Sequence, residues 1–149
     1  MTSTTGTEAD VHLDFAAALV RMSHVVQYVF ADVSREHDIT PQQAQLLCLL
    51  IGGPVGMTEL SRLLHLEKSS LTGLVDRVER RGLVTRVRDL EDRRACRIEL
   101  TPEGTRLAVE SHEQITRKLT TLGEVLPDAD RQGFAAVVTH LLTRYATQQ

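Results

Sequence analysis

The residues of this chain best equipped for chemistry lie in RDLEDRRACRIELT, positions 88 to 101, where Arg88, Arg93, Arg94 and Arg97 are interleaved with Asp89, Glu91 and Asp92. A guanidinium presents a planar fork of donors that grips carboxylate or phosphate. The segment therefore offers recognition by charge rather than bond-making. Ala95 to Leu100 then switches to the two-residue rhythm of a strand. A solvated loop could carry these charges, but it would need no strand behind it.

Other chemistries find little support. No Ser-His-Asp set, phosphate-binding glycine loop or paired-carboxylate arrangement occurs, so no enzymatic activity and no cofactor is expected. His12, His24, His37, His65, His112 and His140 show no close metal-ligand spacing, and no metal site is expected. Cys48 sits within LLCLL, and Cys96 shares a strand face with Ile98 and Leu100, so both read as packed thiols. With no Trp, the chain lacks a stacking platform for single-stranded nucleic acid.

The elements that must position the arginines follow from periodicity and punctuation. After a Thr/Ser-rich tail of about ten residues, expected to be flexible, Phe15, Leu19, Met22, Val26, Val29 and Val33 mark one stripe of a long amphipathic helix. Thr40-Pro41-Gln42-Gln43 carries an N-cap, a first-turn proline and a capping-box glutamine, opening a second helix to about Ile51 before Gly52-Gly53-Pro54. Thr58 is expected to cap a short third helix through Leu64. The break His65-Leu66-Glu67 leads into a fourth from Lys68 to about Arg81, ended by Gly82. Its buried stripe is Leu71, Leu74, Val75 and Val78, leaving Ser69, Ser70, Thr72, Gly73, Asp76, Arg77 and Arg80 outward. Two helices across so short a turn have the shape of a helix-turn-helix. Leu83 to Arg88 and Ala95 to Leu100 read as a hairpin with its tip at Asp89 to Arg94. Thr101-Pro102 opens a fifth helix to about Leu122. A sixth follows Pro127, with Phe134, Val138, Leu141 and Tyr145 on one stripe.

Composition bounds the class. A chain of 149 residues is one ordinary domain. MTSTTGTEAD lacks the basic start and apolar core of a signal peptide, and no apolar run approaches the roughly 18 residues of a membrane span, so a cytoplasmic protein without membrane association is expected. The net charge of −3 conceals segregation: residues 55 to 100 hold ten basic side chains against eight acidic, and Arg77 to Arg97 holds eight Arg against four acids. Regional rather than net charge selects partners.

This order of elements, with VDRVERRGLVTR (75 to 86) and DLEDRRACRIELTPEG (89 to 104) in their places, resembles the MarR family of bacterial transcription regulators over roughly residues 13 to 146. The resemblance implies a mainly α fold with a small β-hairpin wing: a winged helix-turn-helix at about 40–100, and dimerisation helices at about 11–37 and 102–147 of a single domain spanning 1–149. It further implies a homodimer on a pseudo-palindromic duplex operator, with the fourth helix in the major groove and each wing at the flanking minor groove. Lys68, Ser69, Ser70, Thr72, Gly73 and Arg77 are then the helix contacts, and Arg86, Arg88, Asp92 and Arg94 those of the wing. Asp92 is expected to hold the Arg94 guanidinium by a charge-assisted pair, as the family's Asp-x-Arg pattern suggests. Gly73 departs from the family, where a larger side chain is common.

Relatives bind small aromatic acids beside the first helix, where His24 and Tyr28 stand at i, i+4 with Arg21 one turn earlier. These three are the candidate effector contacts of a repressor released by a small anionic or phenolic ligand. Peroxide-sensing relatives carry a reactive Cys near the start of the first helix. This chain has none there, which disfavours that subtype. The alternative from another class is a winged-helix module that docks protein without binding DNA. The Arg-rich wing favours DNA.

Overall fold

The computed structural model describes residues 12–92 and 94–149; the Thr/Ser-rich tail expected to be flexible lies outside the described residues. Helix α1, Phe15–Glu36, opens on Asp14, whose carboxylate accepts the Ala17 N–H at 2.8 Å. Helix α2, Pro41–Leu49, begins with the capping box its sequence announces: Thr40 Oγ1 accepts the Gln43 N–H, and Gln43 Oε1 accepts the Thr40 N–H, both at 3.1 Å. It ends two residues before the expected Ile51, and Gly53 turns the chain at φ +130°.

Strand β1, Val55–Gly56, has no counterpart in the sequence reading. It pairs with β3 and makes the wing a three-stranded antiparallel sheet of order β1-β3-β2. Helix α3, Met57–Leu64, therefore starts straight from strand backbone. Gly56 occupies its cap position without a side-chain acceptor, and Thr58, expected to cap, lies inside the helix.

His65 leaves α3 in the left-handed region (φ +52°), and α4, Lys68–Arg80, follows after three residues. Gly82, at φ +72°, closes α4: its N–H donates to Glu79 O at 2.9 Å, and the Leu83 N–H donates to Val78 O at 3.1 Å. Strands β2, Val84–Arg88, and β3, Cys96–Leu100, pair in the register Val84↔Leu100, Arg86↔Ile98, Arg88↔Cys96. Helix α5, Pro102–Leu122, a 3-10 turn, Gly123–Val125, and α6, Asp128–Ala146, complete the chain.

One core serves α2, α3, α4, the sheet and the start of α5. Leu46, Leu47, Leu60, Leu71, Leu74, Val75, Val78 and Ile98 are essentially inaccessible in it. Full burial of such side chains is worth about 1.5–3 kcal/mol each, so this part of the chain is held by its own interior. Gly104 locks α5 to this core, since a Cβ there would stand 1.8 Å from the Leu83 carbonyl oxygen.

The other end of the molecule is unfinished. Helix α6 has no buried residue, and Phe15, Leu19 and Met22 of α1 are exposed together with Phe134, Leu141 and Tyr145 of α6. An apolar cleft of about 630 Å³ opens between α1, α5 and α6, with Met22, Val26, Leu119, Leu126 and Phe134 on its walls. Three polar ties hold α1 and the corner after it to the rest: Asp32 to Lys118, His37 Nε2 to Gln114 Oε1 at 2.7 Å, and Arg81 Nη1 donating to Asp38 O at 2.5 Å.

Candidate nucleic-acid interface

The apolar stripe of α4 turns inward, so its opposite face must meet solvent. Lys68, Ser69, Ser70, Thr72 and Arg77 are all exposed there. The first turn of α4 has no side-chain cap, and its free N–H groups leave Lys68 and both serines at a positive helix end. Thr72 Oγ1 donates back to Lys68 O at 2.8 Å, which spends its hydroxyl proton and leaves oxygen and methyl outward. Gly73 is half-buried under a neighbour, because a Cβ there would sit 3.5 Å from Arg77 Nη1. The Arg77 guanidinium thus lies along the helix, one turn back from its own Cα, at a distance that a Cβ at position 73 would meet as an ordinary contact.

Arg86 departs from expectation. Its Nη2 reaches Asp76 Oδ1 at 2.6 Å and its Nη1 pairs with Glu79, so the guanidinium predicted to face DNA is engaged by two carboxylates of α4. The hydrogen bond to Asp76 is the largest influence holding the Arg86 pKa above its ordinary value. The register explains this. Val84 enters the core, and two residues on, Arg86 must point to the same helix-facing side of the sheet. Arg86 is a strut between the wing and α4. Arg97, unassigned in the sequence reading, does similar work by donating from Nη2 to Pro54 O at 2.8 Å, tying β3 to the approach of β1.

The acids at the wing tip also act differently from the expectation. Asp92 Oδ1 accepts the backbone N–H of Arg94 at 3.0 Å, and Asp89 Oδ1 accepts that of Glu91 at 3.0 Å. Among the described residues no ion pair joins Asp92 to the Arg94 guanidinium. The carboxylates fold the tip through two Asx turns, competing successfully for backbone donors that a loop of this length leaves free. The Asp89 N–H donates to Ala95 O at 3.2 Å and closes the loop. Of the candidate DNA contacts, Lys68, Arg77, Arg88 and Arg94 have no carboxylate partner among the described residues, which leaves four of the candidate cations per protomer unpaired.

The predicted effector trio lies elsewhere. Arg21, His24 and Tyr28 follow one another along an exposed strip of α1, while Met22 and Val26 line the apolar cleft from another face of the helix. None of the three reaches the cleft in the protomer. Burial raises the Cys48 pKa above its ordinary value, which fits a packed thiol. Among the described residues no three His, Cys, Asp or Glu side chains converge as metal ligands, and no helix is long and apolar enough to cross a membrane.

Comparison with known proteins bears on this geometry. The MarR family model matches residues 37–95. The Homoprotocatechuate degradative operon repressor of Escherichia coli is 30% identical over 106 residues, covering 70% of this chain and 72% of that protein. Among solved structures, NadR in complex with 4-hydroxyphenylacetate superposes with a TM-score of 0.77 at 25% identity, over 95% of this chain and 97% of the other. S. aureus MepR in its DNA-binding conformation superposes with a TM-score of 0.79 over 89% of this chain and 99% of that one, but at 20% identity this shows the shared fold alone. The uncapped polar face of α4, the braced wing and the unfinished helical end are therefore parts of a known design, and the chain belongs to the MarR family of winged helix-turn-helix transcription regulators.

Proposed function

We propose that the protein is a cytoplasmic homodimeric repressor that binds a pseudo-palindromic duplex operator. The observation that carries this reading is that four candidate cations, Lys68, Arg77, Arg88 and Arg94, have no carboxylate partner among the described residues, together with the hydroxyl-bearing face of α4. On this reading α4 lies in the major groove, with Ser69, Ser70 and Thr72 at phosphate or base edges, and Arg94 enters the flanking minor groove, whose negative potential attracts guanidinium. The exposed stripes of α1 and α6 support dimerisation, since a lone protomer would leave more apolar surface in water than monomers normally carry. In the dimer the two α4 helices stand about 34 Å apart, one turn of duplex.

Four cations on each protomer neutralise about eight phosphates per dimer, so log K should fall against log salt with a slope near −7. Titration of a duplex selected by the protein from a randomised pool, at a series of salt concentrations, tests this. A flat response, or equal affinity for every duplex, refutes DNA recognition and leaves the protein-docking module.

A small anionic or phenolic ligand releases the repressor on this reading. The likeness to NadR, solved with 4-hydroxyphenylacetate, supports the ligand class. Arg21, His24 and Tyr28 are its proposed contacts, Arg21 for the carboxylate. Such a ligand must favour the non-binding spacing of the two α4 helices by about 1.4 kcal/mol for each tenfold loss of DNA affinity. Titrating 4-hydroxyphenylacetate and salicylate against the DNA complex, with Arg21→Ala beside the wild type, is the test. An unaltered response in Arg21→Ala removes Arg21 from the site.

A further inference from the structure

Leu90 is 99% exposed, the most exposed large apolar side chain among the described residues, and it stands at the outermost turn of the wing. The other exposed large apolar side chains of the helix-turn-helix and wing, Ile51 at 37% and Leu63 at 40%, keep most of their surface covered. The remaining ones lie on α1, α5, α6 and the Val125-Leu126 corner, the end of the molecule that the proposed dimer would cover. Nothing in the protomer accounts for Leu90.

Nor is the residue free to fold away. It sits inside the Asx turn in which Asp89 Oδ1 holds the Glu91 N–H, and the loop is closed behind it by the Asp89 N–H on Ala95 O. The side chain is thus presented outward by a braced turn, which lowers the entropy lost on docking. Its surroundings select the partner. Asp89 and Asp92 are turned back onto backbone donors and Glu91 stands exposed beside Leu90, while Arg88 and Arg94 stand exposed on either side of the tip with no carboxylate partner among the described residues, so the cations form the outer flanks. A surface that receives an apolar knob between two guanidinium groups must be anionic at its rims and apolar between them. The minor groove of a duplex is such a surface, with phosphates on both edges and deoxyribose C–H groups along the walls, and apolar side chains are a recurrent means of contact there.

We propose that Leu90 is the apolar contact of the wing, seated against the deoxyribose wall of the minor groove beside Arg94 and setting how deep the wing enters. The inference rests on the DNA-binding reading above. Because the contact is uncharged, it adds affinity without releasing counterions, which separates it from every arginine nearby.

The test compares the wild-type dimer, Leu90→Ala, Leu90→Met and Arg94→Ala on one duplex selected by the wild-type protein, each titrated over a range of salt. Leu90→Ala should lose about five- to tenfold in affinity at every salt concentration, with the wild-type slope of log K against log salt. Leu90→Met should keep most of the affinity, while Arg94→Ala should lose affinity and show a shallower slope. Leu90 is covered by nothing, so its replacement leaves folding intact, and circular dichroism checks this. Leu90→Ala within twofold of the wild type, or Leu90→Met as weak as Leu90→Ala, overturns the proposal while the DNA reading stands. Failure of the wild type to select any duplex overturns both.

Discussion

The role of Asp92 can be decided by two substitutions at one position. Its Oδ1 accepts the Arg94 backbone N–H at 3.0 Å in an exposed turn. A solvent-exposed hydrogen bond of this kind contributes about 1 kcal/mol net, or about fivefold in the population of the closed turn. Asp92→Ala removes the acceptor and should weaken operator binding by up to about fivefold, because the Arg94 guanidinium is then presented from a looser backbone. Asp92→Asn keeps an oxygen at the same position and removes a negative charge. If that charge lies within about a Debye length of the phosphates, its loss is worth about 0.3 kcal/mol in favour of binding. The Asp92→Asn variant is thus expected to match the wild type or bind slightly more tightly, as read by fluorescence anisotropy on one operator duplex at fixed salt. A carboxylate that aimed the guanidinium by ion pairing would make both variants weak. Equal losses in Asp92→Asn and Asp92→Ala would refute the turn-forming role and restore the pairing expected from sequence.

Three further outcomes follow from the packing. Gly104→Ala places a Cβ 1.8 Å from the Leu83 carbonyl oxygen, a backbone atom that cannot step aside, and should cost about 3 kcal/mol in a urea unfolding titration. Arg86→Ala leaves Asp76 and Glu79 without their counter-charge. With Arg86 32% and both carboxylates 40% exposed, two solvent-screened pairs are worth about 0.5–2 kcal/mol together, and the salt slope of DNA binding should stay at its wild-type value. The Lys118 hydrogen bond and charge hold the Asp32 pKa below its ordinary value of 3.8. A depressed carboxylate pKa adds stability that is present above the unfolded value and lost as pH falls through the folded one, so acid unfolding followed from about pH 5 downward should lose part of its steepness below 3.8 in Asp32→Asn.

Much of the architecture was legible in short stretches because the forces that set it act over three or four residues. Thr40 and Gln43 cap each other, Thr101 Oγ1 accepts the Gly104 N–H at 3.0 Å, and Gly82 adopts the positive φ that ends α4. The stripe of Leu71, Leu74, Val75 and Val78 identified the face of α4 that turns inward, and by exclusion the face proposed to meet DNA. Each of these depends on neighbours along the chain, so their order in the sequence carries them.

What the sequence by itself determined, then, was the succession of helices, the hairpin and the outward face of α4. Tertiary structure decided how the charges near them are used. Strand β1 exists only because Val55 meets Ile98, more than forty residues away, and two residues leave no periodic trace of their own. Arg86 was indistinguishable from Arg88 until the sheet packed on α4 and brought Asp76 and Glu79 to its guanidinium. Asp92 carried the same charge in either role, and the closure of the loop decided that its oxygen would meet a backbone N–H. Leu90 was one apolar residue among charges until the fold left it uncovered. The physical reason is common to all four: an ion pair, a strand pairing or an exposed surface belongs to groups distant in sequence, and only packing fixes which of them meet.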